Sequence, residues 1–304
     1  LTSLQLTWNE DFRLFKQVAD IHYARGLTHV VCSTFTHNPF VGGLPPGSSF
    51  GCIGSPFVRL QTWWKFMPEL TAYFARCNEA LERGVAVVDV LEYLGDNIER
   101  QPRESVIPYG NHIKMDYLNY DVLMTRLSVK DGRFVLPDGM SYSVLLLRDG
   151  LYLREDTKKR LAELAAAGGK IVRSEKEVDC ASDVALADNP KADTPVLWYH
   201  RNEEAYDWYF VVAPSNGFKG KLKFRAETPS AELCDPQSGI VSRYRGWLDL
   251  EPYQSMIIKF DKGPEPPPAK EIKRTEIALG DWTLKFPTRT LPSVAHCVEG
   301  FARQ

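Results

Sequence analysis

The sequence predicts a multidomain chain, α/β first and all-β after: the tail of a (β/α)8 barrel, a small flavodoxin-like doubly wound α/β domain and a C-terminal β-sandwich. Residues 1–84 read as helix, apolar strand, long loop and helix, the pattern of the last units of a barrel. From 85 to 192, apolar strands alternate with helices. From 193 to 262, short β runs follow one another between turns. "DKGPEPPPAK" is a Pro-rich linker, and 263–304 hold it and the start of a further β domain in "TEIALGDWTLKFP".

Each element has a local reason. Asn9 or Asp11 can cap a helix running to about Arg25, with Phe12, Phe15, Val18, Ala19 and His22 or Tyr23 as its apolar stripe. Gly26 ends it. Leu27 to Cys32 is short, largely apolar and β-branched, which predicts a strand covered on both faces. That strand spills into Ser33, Thr34, Thr36, His37 and Asn38, and Pro39 stops further pairing. A loop rich in Gly, Pro and Ser spans His37 to Pro56, and an amphipathic helix then runs from about Thr62 to Arg83, closed by Gly84. "VAVVDVLEYL" predicts a strand, "DYLNYDVLMTRL" a helix with Asp116 placed as its N-cap, "YSVLLLRD" a strand, "REDTKKRLAELAAAGG" a helix and "KIVR" a third strand. No GxGxxG follows the first of these strands, which argues against a dinucleotide site. "VLWYHR", "DWYFVVAPS", "GKLKFRAE", "AELCDPQSG", "IVSRYRG" and "QSMIIKF" predict the sandwich, with His200, Arg201 and Asp207 structural within it and Asp235, Pro236 and Gly239 in a turn.

Composition narrows the function classes. The 304 residues are enough for about two domains and a real core. With 37 basic and 39 acidic residues, the net charge of -2 gives no electrostatic case for nucleic acid or an anionic membrane. No apolar run approaches the roughly 20 residues of a membrane helix. The six cysteines are scattered without CxxC or metal-ligand spacing and read as buried thiols. GxSxG and HExxH are absent, which disfavours a serine hydrolase and a zinc enzyme. A start at Leu1 and an end in "CVEGFARQ" read as an excised piece of a larger protein.

In collinear order, "TSLQLTWNEDFRLFKQVAD", "GLTHVVCSTFTHNP", "PGSSFG", "VRLQTWW", "YFARCNEALERGVAVVDVLEYLGD", "MDYLNYDVLMTRLSVKDGRFVLPDGMSYSVLLLRD", "WYHRNEEAYDWYFVVAPS", "ELCDPQSG" and "LGDWTLKFP" resemble the large α-L-rhamnosidases of glycoside hydrolase family 106. The resemblance implies cleavage of terminal α-L-rhamnosyl or similar residues from plant or bacterial polysaccharides, in a secreted or periplasmic enzyme, with no nucleic-acid or membrane partner. It places Thr36, His37 and Asn38 at the mouth of the last barrel strand, where their donors and acceptors would face a sugar. His37 and Asn38 can instead belong to a turn before Pro39. Arg59 could hold a hydroxyl or a carboxylate, and Trp63 could offer a flat face to a sugar or anchor the last barrel helix, as could Trp64. Asp116, Tyr117 and Asn119 match the family's D-Y-x-N element, with ligand binding and helix capping both open for Asp116.

Glycoside hydrolysis ordinarily needs two carboxylates. Glu10, Asp11, Glu69, Glu79 and Glu82 fall on helices, Glu92 lies within a strand and Asp96 just after it, so no catalytic residue is assigned within the chain. By the resemblance, the catalytic Glu lies just before Thr2 and Ser3, the other carboxylate further upstream, and the piece alone is inactive. The family's calcium has no Asp/Glu cluster here to hold it, and no other cofactor is implied. The competing readings are a non-catalytic carbohydrate-binding or structural module and a β-galactosidase-like glycosidase.

Overall fold

The computed structural model describes residues 10–32, 55, 57–59, 61–97, 113–192 and 194–263, and the backbone of two later strands, 282–285 and 294–297. Residues 1–268 form one compact unit and 269–304 a second.

Helix α1 (Phe12–Tyr23) starts where the Asp11 carboxylate accepts the Leu14 N–H at 2.8 Å. It closes in a Schellman motif, with Gly26 N–H on the Tyr23 carbonyl and Leu27 N–H on the His22 carbonyl. A 3-10 turn (Trp64–Phe66) leads into α2 (Met67–Leu81). The two helices run side by side in the same direction, because Phe12 meets Trp63, Asp20 meets Tyr73 and Tyr23 meets Asn78. Leu27 to Cys32 returns between them, with the Val30 N–H 3.4 Å from the Asn78 side-chain oxygen and His29 paired to Glu82.

This return segment is not the doubly buried strand that its composition predicts. Among the described residues it pairs with no strand, and Val31 is 84% exposed. A parallel-type strand is buried on both faces only when neighbours flank both its edges. Here α2 holds one side through Asn78 and Glu82.

Next come β1 (Val85–Ala86), β2 (Val90–Tyr93), β3 (Met115–Leu118), α3 (Tyr120–Thr125), β4 (Ser128–Lys130), β5 (Arg133–Val135), β6 (Ser141–Tyr142), β7 (Val144–Leu146), α4 (Glu155–Ala166) and β8 (Ile171–Val172). A parallel sheet takes the order β3-β2-β7-β8. It has four strands where the sequence predicts three. "VAVVDVLEYL" breaks into β1 and β2, because the Asp89 carbonyl turns aside to accept the Ser143 and Val144 N–H groups. "DYLNYDVLMTRL" is β3 followed by a short helix rather than one helix. The N-cap is Asn119, whose side chain accepts the Val122 N–H at 3.0 Å, and Asp116 lies inside β3. Leu91, Tyr93, Leu118, Leu145 and Leu147 face α3 and α4, while Val90, Val144, Leu146 and Val172 form the other face with Ile113 and Val178. Strands β4-β5-β6 make a separate antiparallel sheet whose first turn has Asp131 and Gly132 both at positive φ.

The remainder of the first unit is antiparallel: β9 (Val184–Leu186), β10 (Leu197–Asn202), β11 (Tyr206–Val212), β12 (Phe218–Gly220), β13 (Leu222–Phe224), β14 (Ala231–Cys234), β15 (Val241–Arg243), β16 (Leu248–Leu250) and β17 (Ser255–Asp261). One sheet runs β1-β10-β11-β17-β14-β15, and β12-β16 and β13-β9 form two small pairs. Tyr199, Phe210, Val212 and Ile257 face α1 and α2, with the Tyr23 and Phe210 rings crossing edge-on at 5.5 Å. Trp198, Tyr209, Val211, Ile258 and Phe260 turn to the small pairs and build the second core. Strands β1 and β9 thus join antiparallel sheets from outside the 193–262 stretch. In the second unit, β18 (Trp282–Lys285) pairs antiparallel with β19 (Val294–Cys297).

Gly84 ties α2 to this sheet. It sits at φ +50°, and a Cβ there would lie 1.9 Å from the Asn202 carbonyl oxygen. A left-handed conformation costs a residue with a Cβ about 1–2 kcal/mol before any clash. We expect Gly84→Ala to lower stability by about 2–4 kcal/mol, seen as an earlier midpoint in urea unfolding. An unchanged midpoint would show that the chain does not approach β10 so closely.

Candidate functional site

Of the residues that sequence reasoning places at the sugar, Thr36, His37 and Asn38 lie outside the described residues. Arg59 is exposed in the turn after the buried Phe57 and Val58, so its guanidinium is available to solvent. Trp63 is half-buried, four residues on. Its ring meets Phe12 at 5.4 Å, Phe57 at 5.5 Å and Phe15 at 5.8 Å, all edge-to-face. These contacts anchor the start of α1 to the start of α2. Trp64, also half-buried, packs against the same core. Arg59 and Trp63 therefore sit at the helix starts, the end of the pair toward which the return segment runs.

Asp116 and Asn119 belong to the parallel sheet instead. Asn119 spends its side-chain oxygen on the α3 cap. Asp116 is half-buried, and the Tyr142 hydroxyl donates to it at 3.0 Å. Burial raises its carboxyl above the usual range, and the Tyr142 hydrogen bond opposes that. Burial first and then the charge of Asp116 raise Tyr199, whose ring lies directly under Gly26. Asp116 thus neighbours the beginning of the return segment, whereas Thr36 follows its end. Six extended residues cover about 20 Å, so the structure does not bring Asp116 to the Arg59 and Trp63 end.

Two carboxylate clusters have the composition of a reactive site, and only Glu92 and Asp96 of their members were considered as candidate acids from sequence. At the C-terminal edge of the parallel sheet, Arg148 forks onto Glu92, with Nε at 2.6 Å, and also reaches Glu175. Beside it, between β2 and β7, the sheet order reverses, which is where open α/β sheets bind phosphates and nucleotides. There the Asp96 carboxylate accepts the Arg154 N–H and the Thr157 hydroxyl at the start of α4, and also the Tyr93 hydroxyl. The protein's own carboxylate fills the place of an anionic ligand. The second cluster is Asp183, His200 and Asp207, with side chains only 1–4% exposed and both imidazole nitrogens taken, at 2.7 and 2.9 Å. A histidine so enclosed has no nitrogen left for a substrate.

Asp20, also raised by burial, is fully enclosed by Lys16, Tyr73 and Ser255. Its partners fasten α1 to α2 and, through Ser255, to β17. Among the described residues no group of three or more His, Cys, Asp or Glu side chains is placed to hold a metal ion. No helix among them is long and apolar enough to cross a membrane.

Two substitutions separate anchoring from ligand roles. Trp63→Ala should cost about 2–3 kcal/mol of stability through the lost aromatic cluster. A cost below about 0.5 kcal/mol would mean that the ring stands free. For Asp116 the folded value is raised, so its contribution is fully present below the ordinary carboxylate value and is lost as pH rises through the raised one. Asp116→Asn keeps an acceptor for Tyr142 and removes that loss. Its melting temperature relative to the parent should be more favourable at pH 7 than at pH 4, and the opposite order would show a carboxylate held ionised.

The chain has recognisable relatives. Over 98% of its length it superposes on 34% of a rhamnosidase from Novosphingobium sp. PP1Y, with a TM-score of 0.69 and 18% identity, which shows a shared fold. It is 25% identical over 283 residues to a Formosa agariphila protein named "Putative beta-glucuronidase", an alignment spanning 79% of this chain and 24% of that one. The chain thus spans about a third of the one relative and about a quarter of the other. The sequence pattern of the α-L-rhamnosidases matches residues 1–188, more than half of the 304. The chain belongs to this family, glycoside hydrolase family 106.

Proposed function

We propose that this chain is the part of a glycoside hydrolase that completes the catalytic barrel and braces it from outside, in an enzyme that removes terminal α-L-rhamnosyl or similar residues from plant or bacterial polysaccharides. The observation that carries the reading is the family match over residues 1–188. The parallel pair α1 and α2, with an extended segment returning between them, is the arrangement expected of the last units of a (β/α) barrel. A second apolar stripe on α1, with Leu14 39% and Ile21 38% exposed, suits the lateral packing of such helices. The parallel sheet of 85–192 and the sandwich beyond it read as the bracing domains.

In this proposal Thr36, His37 and Asn38 face the sugar past the end of the return segment, and Arg59 lies at the same end. The acid and its partner carboxylate come from polypeptide N-terminal to the chain. The described carboxylates support this, because Glu92, Asp96, Asp183 and Asp207 are held by cations or neutral donors of the fold. The enzyme acts outside the cytoplasm, where such polysaccharides are met.

A second reading concerns the sugar. The name of the Formosa relative points to a β-glucuronide, and a β-galactoside is the third case. The 304-residue chain and a longer polypeptide containing it should be assayed with p-nitrophenyl α-L-rhamnoside, β-D-glucuronide and β-D-galactoside. We expect turnover of the rhamnoside by the longer protein and none by the chain alone. Turnover by the chain alone would overturn the placement of the carboxylates, and glucuronide turnover would replace the sugar. In the active protein, His37→Ala should lower kcat/KM about threefold to a hundredfold with little change in melting temperature, the effect of one lost hydrogen bond to substrate. Loss of stability with kcat/KM intact would make His37 a turn residue.

A further inference from the structure

An enclosed ionic cluster of the described residues joins two sheets. His200, on β10, has Nδ1 2.7 Å from Asp183 and Nε2 2.9 Å from Asp207. Its ring stacks on Tyr209 at 4.0 Å, and the Tyr209 hydroxyl donates to the other Asp183 oxygen at 2.7 Å. Arg225, after β13, lies 3.9 Å from Asp183 and forks onto Asp89 at 2.7 and 3.0 Å. Asp89 directly precedes β2, and its carbonyl holds the start of β7. On the far side, Lys262 and Asn202 close onto Asp207, at 3.3 and 2.6 Å. An alternating chain of charges therefore runs from the parallel sheet to the end of the antiparallel one.

With Asp183 and Asp207 both ionised, each faces a ring nitrogen that must carry a proton to bond it. If the imidazole were neutral, one lone pair would point at a carboxylate with no water to intervene, because the three side chains are 1–4% exposed. We propose that Asp183–His200–Asp207 is a proton-dependent clamp between the antiparallel β10–β11 sheet and the β9–β13 pair, closed while both His200 nitrogens carry protons and released when the ring gives one up.

The electrostatics agree in direction. Burial alone would lower His200, but its hydrogen bonds to Asp183 and Asp207 and their charges outweigh it and raise the imidazole. Burial would raise both carboxyls, and the His200 hydrogen bonds reverse it, helped by Arg225 at Asp183 and by Asn202 and Lys262 at Asp207. A raised imidazole contributes stability that is complete below its ordinary value near 6.5 and lost as pH rises through the folded value. The depressed carboxyls contribute stability above their ordinary range and lose it in acid. One nearby group acts the other way. Lys114 is pushed down to about 7 by burial and by Arg25, so its contribution grows with rising pH.

The test is site-specific, so that Lys114 does not confuse it. In the 304-residue chain with ring-labelled histidine, nitrogen NMR should show both His200 nitrogens protonated at pH 7 and one proton lost at higher pH. In the Lys114→Gln chain, where the opposing titration is removed, hydrogen exchange at β10 and β11, corrected for intrinsic rate, should show an opening constant rising by up to about tenfold per pH unit above 6.5, then levelling. The parent should show a flatter profile, because Lys114 opposes the rise, and His200→Gln added to Lys114→Gln should abolish it. If His200→Gln does not fold, the ring spectrum of the parent decides. One unprotonated ring nitrogen at pH 7, or an opening constant flat from pH 6 to 9 in the Lys114→Gln chain, would overturn the clamp.

Discussion

Strand β11 is apolar on both faces, and the rest of the first unit is arranged around that constraint. Phe210 and Val212 point toward α1 and α2, while Tyr209 and Val211 point to the small strand pairs. Each such side chain adds roughly 1.5–3 kcal/mol only when it is fully covered, so both faces need a layer. The covering layers in turn deny water to the strand's polar atoms, which must find partners inside. Asp207 and the Tyr209 hydroxyl lie on this strand, and the His200 cluster is how they are satisfied. On the helix face, Asp20 with Tyr73 and Ser255 answers the same need. The buried ionic groups follow from a sheet that is covered twice.

Most of the antiparallel strands were legible, because alternation survives where one residue in two meets a distinct core. Strand β10 shows this, with Trp198 in one core and Tyr199 in the other. The errors fall where a local pattern has two solutions. "DYLNYDVLMTRL" offers two caps, Asp116 and Asn119, and helical periodicity cannot choose between them. The choice is made by β2, which pairs with Met115 to Leu118 and extends the first residues. The break in "VAVVDVLEYL" depends on Asp89, which binds β7 through its carbonyl and Arg225 through its carboxylate, contacts far away in sequence. The hairpin at Asp131-Gly132 carries a readable Asp-Gly turn signal, in a stretch to which the sequence reading assigns no element.

The candidate site was less legible than the fold, for a physical reason. Side-chain type specifies what a residue can bond, whereas partners decide what remains free to bond a ligand. Asn119 has the donors and acceptors of a sugar contact, yet its oxygen closes a helix. Trp63 has the flat ring of a sugar platform, yet three aromatic edges meet it. Arg59 keeps both its chemistry and its exposure. The family resemblance was visible because it resides in the order of many short motifs, none of which has to be a site.

Active-site composition and structural composition converge in this protein, and exposure together with unspent valence tells them apart. Asp183, His200, Asp207 and Tyr209 include every residue type of an acid–base centre, but a catalytic imidazole keeps one nitrogen for the reacting group. His200 keeps neither. Asp96 stands at a sheet reversal beside a helix start, yet its carboxylate serves as the anion there. On the proposed function, the surface at the starts of α1 and α2, with Arg59 exposed on it and the return segment leading to it, is the one that faces substrate. On that proposal, the parallel and antiparallel layers carry strong internal charge pairing without disturbing the sugar, because the pairs are closed before any ligand arrives.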